Sequence, residues 1–485
     1  MKTYCRLEME FNIANSLYWA WKYESAELRQ IFGPDCNARS VASQSIVRYL
    51  PGFTDGPLPF ELETGYVRVD DINDVQYFYY FIKSENKPTE DPLLLWITGG
   101  PGCSVLTAVA FEIGPLYFRV AKYNGSLPTL MLNPNSWTKV ANIIFLDAPS
   151  GTGFSYSTSL EGSTNNDTKV AQQIYTFIRK WLIDHPQYLS NSFYLGGDSY
   201  SGKLNPMVVQ HISDGIEAGQ RPHINLKGYL LGNPVTDPNL EANSKIPYAY
   251  DVGFLSDELF ESVKRNCAGH YVNVNPSNAQ CNKDLQAVSE CTSGINPAHI
   301  LEPKCLLVTP KPKEVFIERR SLNENSSLTA ISPPPSPEFK CRSYGYMIAY
   351  YWANDDRVQT ALNIRKGRVK EWIRCNYRGV QYIKNVETST SYHFNISKRG
   401  YRSLIYSGDH DMLVPHLSTQ AWIKSLNYSI SDEWRPWFVN GQVGGYTRTY
   451  TNNMTFATGG GHTAPEYQPK ECFAMFKRWV SDEPL

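Results

Sequence analysis

Six short apolar runs constrain the fold of this chain more than any other feature. Leu93–Thr98, Ile143–Leu146, Phe193–Leu195, Tyr229–Leu231, Ser403–Tyr406 and Met454–Thr458 read as buried strands. An amphipathic helix lies between the second and the third. Val170, Ile174, Phe177, Ile178, Trp181 and Leu182 fall on one of its faces, and His185-Pro186 ends it. Strands that alternate with helices predict an α/β chain with a mostly parallel sheet.

The pattern changes after Asn233-Pro234. Residues 236–380 carry six of the ten cysteines, with Cys267, Cys281, Cys291, Cys305 and Cys341 clustered and Cys375 near the end, and no alternation of strand and helix. Strand signals then resume. The organisation predicted is an N-terminal segment (1–40), a first part of the core (41–235), an insertion (236–380) and a second part of the core (381–485). Within the insertion, a loop at 306–337 holds Pro333-Pro334-Pro335 and the dibasic Arg319-Arg320. That composition predicts an exposed loop open to proteolysis, a candidate for excision into a two-chain form.

Composition excludes several classes of function. With 46 basic and 47 acidic residues among 485, no single-sign field exists to attract nucleic acid or an anionic membrane. No run of 18 apolar residues predicts a membrane span. The cysteines form no Cys-x-x-Cys pair, which argues against a structural zinc site. Six Asn-x-Ser/Thr acceptors begin at Asn124, Asn166, Asn325, Asn395, Asn427 and Asn453. Together with the clustered cysteines they favour the secretory pathway. Residues 1–40 do not show the corresponding leader, because Phe11–Trp21 is broken by Asn12 and Asn15.

The chemistry-bearing stretches lie at the ends of the predicted strands. Gly197-Asp198-Ser199-Tyr200-Ser201-Gly202 follows a strand and has the small neighbours of a nucleophile elbow, although Ser201 stands where the strict pattern has glycine. A serine hydroxyl needs a histidine to take its proton and a carboxylate to orient that histidine. The order serine, acid, histidine is met by Ser199, by Asp409 after Leu404–Gly408, and by His462 after Gly459-Gly460-Gly461. Asp409 is the expected acid because it is nearest the strand end, with Asp411 and His410 as rivals. His410 and His416 lack a third ligand at usable spacing, so no metal is expected, and both read as solvated loop residues. The glycine turn after Trp96-Ile97-Thr98, Gly99-Gly100-Pro101-Gly102, leaves backbone N–H groups open. The N–H groups of Gly100 and Tyr200 are the expected oxyanion hole. The turn lacks the Lys-Ser/Thr that a phosphate loop requires. No cofactor is implied.

Taken together, Trp96–Cys103, Phe145–Tyr156 (FLDAPSGTGFSY), Gly197–Gly202, Ser407–Asp411 (SGDHD) and Gly459–Pro465 (GGGHTAP) resemble the serine carboxypeptidase family from about residue 41 to the C-terminus. The resemblance implies an α/β-hydrolase fold with a mainly helical, disulfide-stapled insertion above the site, secretory processing and glycosylation. By position it also implies bridges Cys103–Cys375, Cys267–Cys281 and Cys305–Cys341, leaving Cys5, Cys36, Cys291 and Cys472 unassigned.

The departures from the family pattern bear on function. Its peptidases read WLNGGPG and GESYAG, and the asparagine and glutamate of those motifs bind a peptide's terminal carboxylate. Thr98 and Asp198 occupy these positions here. GDSYSG, with Thr98 and with Asn376 after Trp372-Ile373-Arg374-Cys375, resembles the plant acyltransferase branch, which takes acyl groups from 1-O-β-glucose esters and passes them to alcohols of secondary metabolism. Thr98, Gly99 and Asp198 are then expected to bind the donor, and a vacuolar or extracellular location is implied. Ala148 and Ser150 depart from both branches. The expectation is an acyltransferase, with a secretory serine carboxypeptidase as the alternative and a catalytically silent glycosylated binding protein as a non-enzymatic one.

Overall fold

The six apolar runs become the six parallel strands at the centre of one twelve-stranded sheet in a computed structural model that describes residues 43–305 and 339–485. In spatial order these are Asn142–Leu146, Leu93–Ile97, Phe193–Asp198, Leu226–Gly232, Arg402–Ser407 and Met454–Thr458. Antiparallel strands complete both edges. Ser43–Val47, Leu62–Asp70 and Val75–Ile82 lie beyond Asn142–Leu146, with the short Tyr156–Ser157 paired to Val75–Ile82, and Gln442–Tyr450 and Ile430–Val439 lie beyond Met454–Thr458.

Side chains alternate across this sheet into two core layers. Leu93, Leu95 and Ile97 enter one, under the helices Asp167–Asp184 and Ser201–Glu217. Leu94 and Trp96 enter the other, where Trp96 meets Trp137 edge-on and Trp137 stacks on Phe476 of the helix Pro469–Val480. The helix predicted around Val170–Leu182 runs from Asp167 to Asp184, and Asn166 caps it by accepting the Lys169 N–H at 2.9 Å.

Between Leu226–Gly232 and Arg402–Ser407 the chain leaves the sheet. It forms the helices Pro238–Asp251, Asp257–Asn266, Ala279–Thr292 and Arg342–Ala353. Three disulfides staple this region to itself and to the core: Cys267–Cys281, Cys305–Cys341 and Cys103–Cys375. These are the pairs the resemblance implied. Cys291 is free and exposed, Cys472 is free and buried, and Cys5 and Cys36 lie outside the described residues. The loop 306–337 and Asn325 lie outside them as well. Asn124, Asn395, Asn427 and Asn453 are exposed, and Asn166 is half-buried. Among the described residues no helix is long and apolar enough to cross a membrane.

Parallel strands present their C-terminal ends together, where open α/β sheets bind ligands. Here that rim collects Thr98–Gly102, Asp198–Ser201, Asn233, Ser407–Asp411 and Thr458–His462.

Candidate active site

The nucleophile position is built by a tight turn. Ser199 follows the strand Phe193–Asp198 with φ +53°, a left-handed conformation that is rare outside glycine and marks a constrained site. Its N–H donates to Gly232 O at 2.8 Å, and its carbonyl accepts from Gly202 and Val235. The turn needs small residues on both sides. A Cβ on Gly197 would lie 2.3 Å from Ile97 O, and one on Gly202 would lie 2.5 Å from Pro234 Cβ. Ser201 is small enough to sit fully buried where the strict pattern has glycine.

Ser199 Oγ lies 2.9 Å from His462 Nε2. His462 Nδ1 lies 2.7 Å from Asp411 Oδ2, so the acid is Asp411 and not Asp409. Nearness to the strand end misled the expectation, because direction decides. The chain passes Gly408 so tightly against the histidine loop that a Cβ there would lie 2.2 Å from Gly461 O. The carboxylate that reaches His462 is that of Asp411, two residues after Asp409. Asp409 instead accepts the Tyr248 hydroxyl at its backbone carbonyl.

Asp411 is completely buried and saturated with donors. Oδ2 also accepts the Asn233 amide at 2.7 Å, and Oδ1 accepts the N–H groups of Leu413 and Val414 at 2.7 and 3.2 Å. Asn233 returns the tie by accepting the Gly408 N–H at 3.1 Å. The signal for Asn233 was an amide at the C-terminal end of a central strand. His410 and His416 are half-buried rather than freely solvated, and the Nδ1 atom of each is buried without a hydrogen bond. His410 rests against His299 and His416 against Tyr248. Among the described residues no cluster of three metal-ligating side chains occurs.

Beside Ser199, the glycine turn presses against the elbow. A Cβ on Gly99 would lie 2.6 Å from both Ser199 Cβ and Tyr200 N. Gly100 has φ +117°, and Cys103–Cys375 ties the turn to the end of the insertion, with Ser104 N–H donating to Arg374 O and Asn376 N–H to Gly102 O. Gly100 and Tyr200, the expected N–H donors, line the same cavity as Ser199. The Tyr200 side chain is anchored separately, its hydroxyl donating to buried Asp167 at 2.7 Å.

These groups line a cavity of about 1080 Å³. Thr98, Gly99, Gly100, Asp198, Ser199, Tyr200 and His462 all face it, whereas Asn376 and Ser150 line a separate, smaller cavity. Asp198 Oδ1 accepts the Gly99 N–H at 3.2 Å. Sequence reading missed Glu112, a single acid within the apolar stretch Val105–Ile113. It is 1 % exposed, and neither carboxyl oxygen has a hydrogen-bond partner. Thr98 Oγ1 and Thr107 Oγ1 are also buried and unpaired. Four polar atoms without partners, on three residues that line the cavity, suit a polar ligand.

Charge inside the site follows from burial. Burial pushes Asp198 up to about 6, against the opposing pull of His462 and the Gly99 N–H. Burial, reinforced by the charge of Asp198, holds Glu112 well above the ordinary carboxylic range. Burial draws His462 down, but the charge and hydrogen bond of Asp411, together with the charge of Asp198, outweigh it and hold the imidazole above its usual value. The arrangement can deprotonate a serine hydroxyl, stabilise the resulting imidazolium and receive an oxyanion at backbone N–H groups.

A family model described as serine carboxypeptidase matches residues 51–482. The chain belongs to the serine carboxypeptidase family. It is 51 % identical over 456 residues to serine carboxypeptidase-like 19 of Arabidopsis thaliana, covering 92 % of this chain and 96 % of that one. Serine carboxypeptidase-like 11 of the same plant is 50 % identical over 447 residues, covering 92 % and 96 %. Among solved structures, a prohormone-processing carboxypeptidase from Saccharomyces cerevisiae superposes with a TM-score of 0.70 at 19 % identity, covering 90 % of this chain and 95 % of that one. The fold is therefore the α/β-hydrolase fold of serine carboxypeptidases, with a helical, disulfide-stapled insertion.

Proposed function

We propose that this member of the family is an acyltransferase that moves an acyl group from a 1-O-β-glucose ester to an alcohol. The observation that carries the reading is the wall beside Ser199. Peptidases that resemble this chain grip a terminal carboxylate there with an asparagine and a glutamate. Thr98 has no amide, and the Asp198 carboxyl, one methylene shorter, is engaged with the Gly99 N–H. A site that loses designed hydrogen bonds to a ligand discriminates strongly against it. The unpaired oxygens of Thr98, Thr107 and Glu112 suit the many hydroxyls of a sugar.

As Ser199 Oγ attacks the ester carbonyl, His462 Nε2 takes its proton, while Nδ1–H stays bonded to Asp411. The N–H groups of Gly100 and Tyr200 receive the negative oxygen. The C–O bond to glucose breaks, and glucose leaves with the proton from Nε2. An alcohol then gives its proton to Nε2, attacks the acyl carbon and releases Ser199 Oγ, which takes the proton back. The same residues would let water resolve the acyl-enzyme.

One observation favours the carboxypeptidase alternative. Asp198 and Glu112 are buried acids held toward their neutral forms, and neutral acids can donate to a carboxylate. A silent binding protein would need neither the 2.9 Å serine–histidine contact nor the buried acid behind it. The three disulfides suit an oxidising compartment, and with the four exposed acceptor asparagines they support a secreted or vacuolar glycoprotein. The test is to incubate purified protein with a panel of acyl-glucoses and alcohols beside a blocked dipeptide. New esters support the reading. Release of amino acid without ester formation overturns it.

A further inference from the structure

One strap of the insertion touches both loops that carry the acid and the histidine. Pro297 O accepts the N–H groups of Met412 and Leu413 at 2.8 and 3.1 Å, just after Asp411. Ala298 O accepts the N–H of His462 itself at 2.8 Å, and Ile300 N–H donates to His410 O at 3.0 Å. Four main-chain hydrogen bonds thus join Pro297–Ile300 to the residues flanking Asp411 and to His462. Glu302 pairs with Arg342 at 2.7 Å, and Cys305–Cys341 closes the strap's far end.

The side chain between these bonds explains a glycine. Gly459 and Gly460 have φ of +139° and +94°, so their backbone requires glycine, but Gly461 does not lie in that region. What Gly461 supplies is space. A Cβ there would lie 2.6 Å from the His299 ring and 2.8 Å from Tyr467. The His299 ring sits between His410 and Tyr467, with ring centroids 5.1 and 4.5 Å away.

We propose that Pro297–Ile300 is a positioning strap for the Asp411–His462 pair, and that the His299 ring, seated on Gly461, sets its register. The inference rests on Ser199 and His462 reacting as a pair, but not on whether alcohol or water resolves the acyl-enzyme. His299 is a positioning residue. It reaches the reacting atoms only through the main chain of His462.

The test uses the full-length protein and the rate at which a serine-directed phosphonate labels Ser199. Gly461→Ala should lower the maximal labelling rate by about tenfold or more, since ångström-scale misplacement has costs of that order. The half-saturating phosphonate concentration should change less than about twofold, because the misplaced group acts on the reaction and not on reagent binding. His299→Ala removes the atom nearest the new Cβ and opens room into which Tyr467 can move. The double variant should therefore label at least about threefold faster than Gly461→Ala alone, a coupling expected of residues in contact. If Gly461→Ala does not fold, as judged by thermal melting, His299→Ala alone must still slow labelling by more than about twofold. Near-wild-type rates in the single variants, or a double variant equal to the product of the singles, would overturn the strap. Persistent labelling of Ser199→Ala would contradict the triad and with it the strap. Failure of the strap alone leaves wild-type labelling dependent on Ser199.

Discussion

His462 Nδ1 stands 2.7 Å from Asp411 Oδ2, and the same carboxylate oxygen takes the Asn233 amide at 2.7 Å. The histidine is thus oriented by an acid that is itself held by the end of a neighbouring central strand. This linkage makes the two acids of the Ser407–Asp411 turn experimentally separable.

Asp411→Asn should lower acyl turnover by about 10⁴-fold, because an amide in that place favours the wrong imidazole tautomer. Asp409→Asn should cost less than about tenfold, in keeping with a carboxylate that makes no hydrogen bond to His462. Steady-state kcat for both variants checks this. A larger loss from Asp409→Asn would restore that residue as the acid.

Asn233→Ala should destabilise the protein by about 1–3 kcal/mol and also slow turnover, since it leaves the buried Gly408 N–H unpaired and removes a donor from Asp411. Urea unfolding and kcat measured on the same preparation test both effects. An unchanged kcat would show that Asp411 is held in place without the amide.

The pH dependence has a definite sign. An imidazolium cannot take the Ser199 proton, so phosphonate labelling should rise as pH passes upward through the His462 pKa. Burial lowers that value, but Asp411 and Asp198 raise it by more, so the midpoint should lie above about 6.5. Asp198→Asn removes one raising charge and should move the midpoint down. A midpoint that moves up, or stays fixed, would mean that Asp198 does not act on His462 as a charge.

The sequence made the centre of this fold legible and left its edges obscure. Central parallel strands are buried on both faces, so Leu93–Ile97 and Tyr229–Leu231 appear as apolar runs. The edge strands Gln442–Tyr450 and Ile430–Val439 mix exposed aromatic side chains with Arg435 and Pro436, and their pairing is bulged, so no clean period survives. Ser199 and His462 were legible because each sits in a motif with small or glycine neighbours. Asp411 was not separable from Asp409, because choosing between them requires the path of the turn past Gly408. Glu112 and the strap at Pro297–Ile300 belong to the site only through tertiary packing.

Limited proteolysis checks the organisation around the insertion. The proline-rich stretch with Arg319-Arg320 is the expected first cut for trypsin. Cys103–Cys375 and Cys305–Cys341 both join the two sides of that stretch. The nicked protein should therefore migrate as one species without reductant and as two with it. Separation without reductant would contradict both bridges.

In the proposed acyltransferase, the wall formed by Thr98 and Asp198 selects a glucose ester over a peptide. The measurement is the ratio of kcat/KM for an acyl-glucose with an alcohol to that for a blocked dipeptide, compared between the wild type and Thr98→Asn with Asp198→Glu. The wild-type ratio should strongly favour the ester. The double variant should shift it toward the dipeptide by about tenfold to a hundredfold for each restored hydrogen bond. Efficient dipeptide cleavage by the wild type, or loss of both activities together in the double variant, would contradict it.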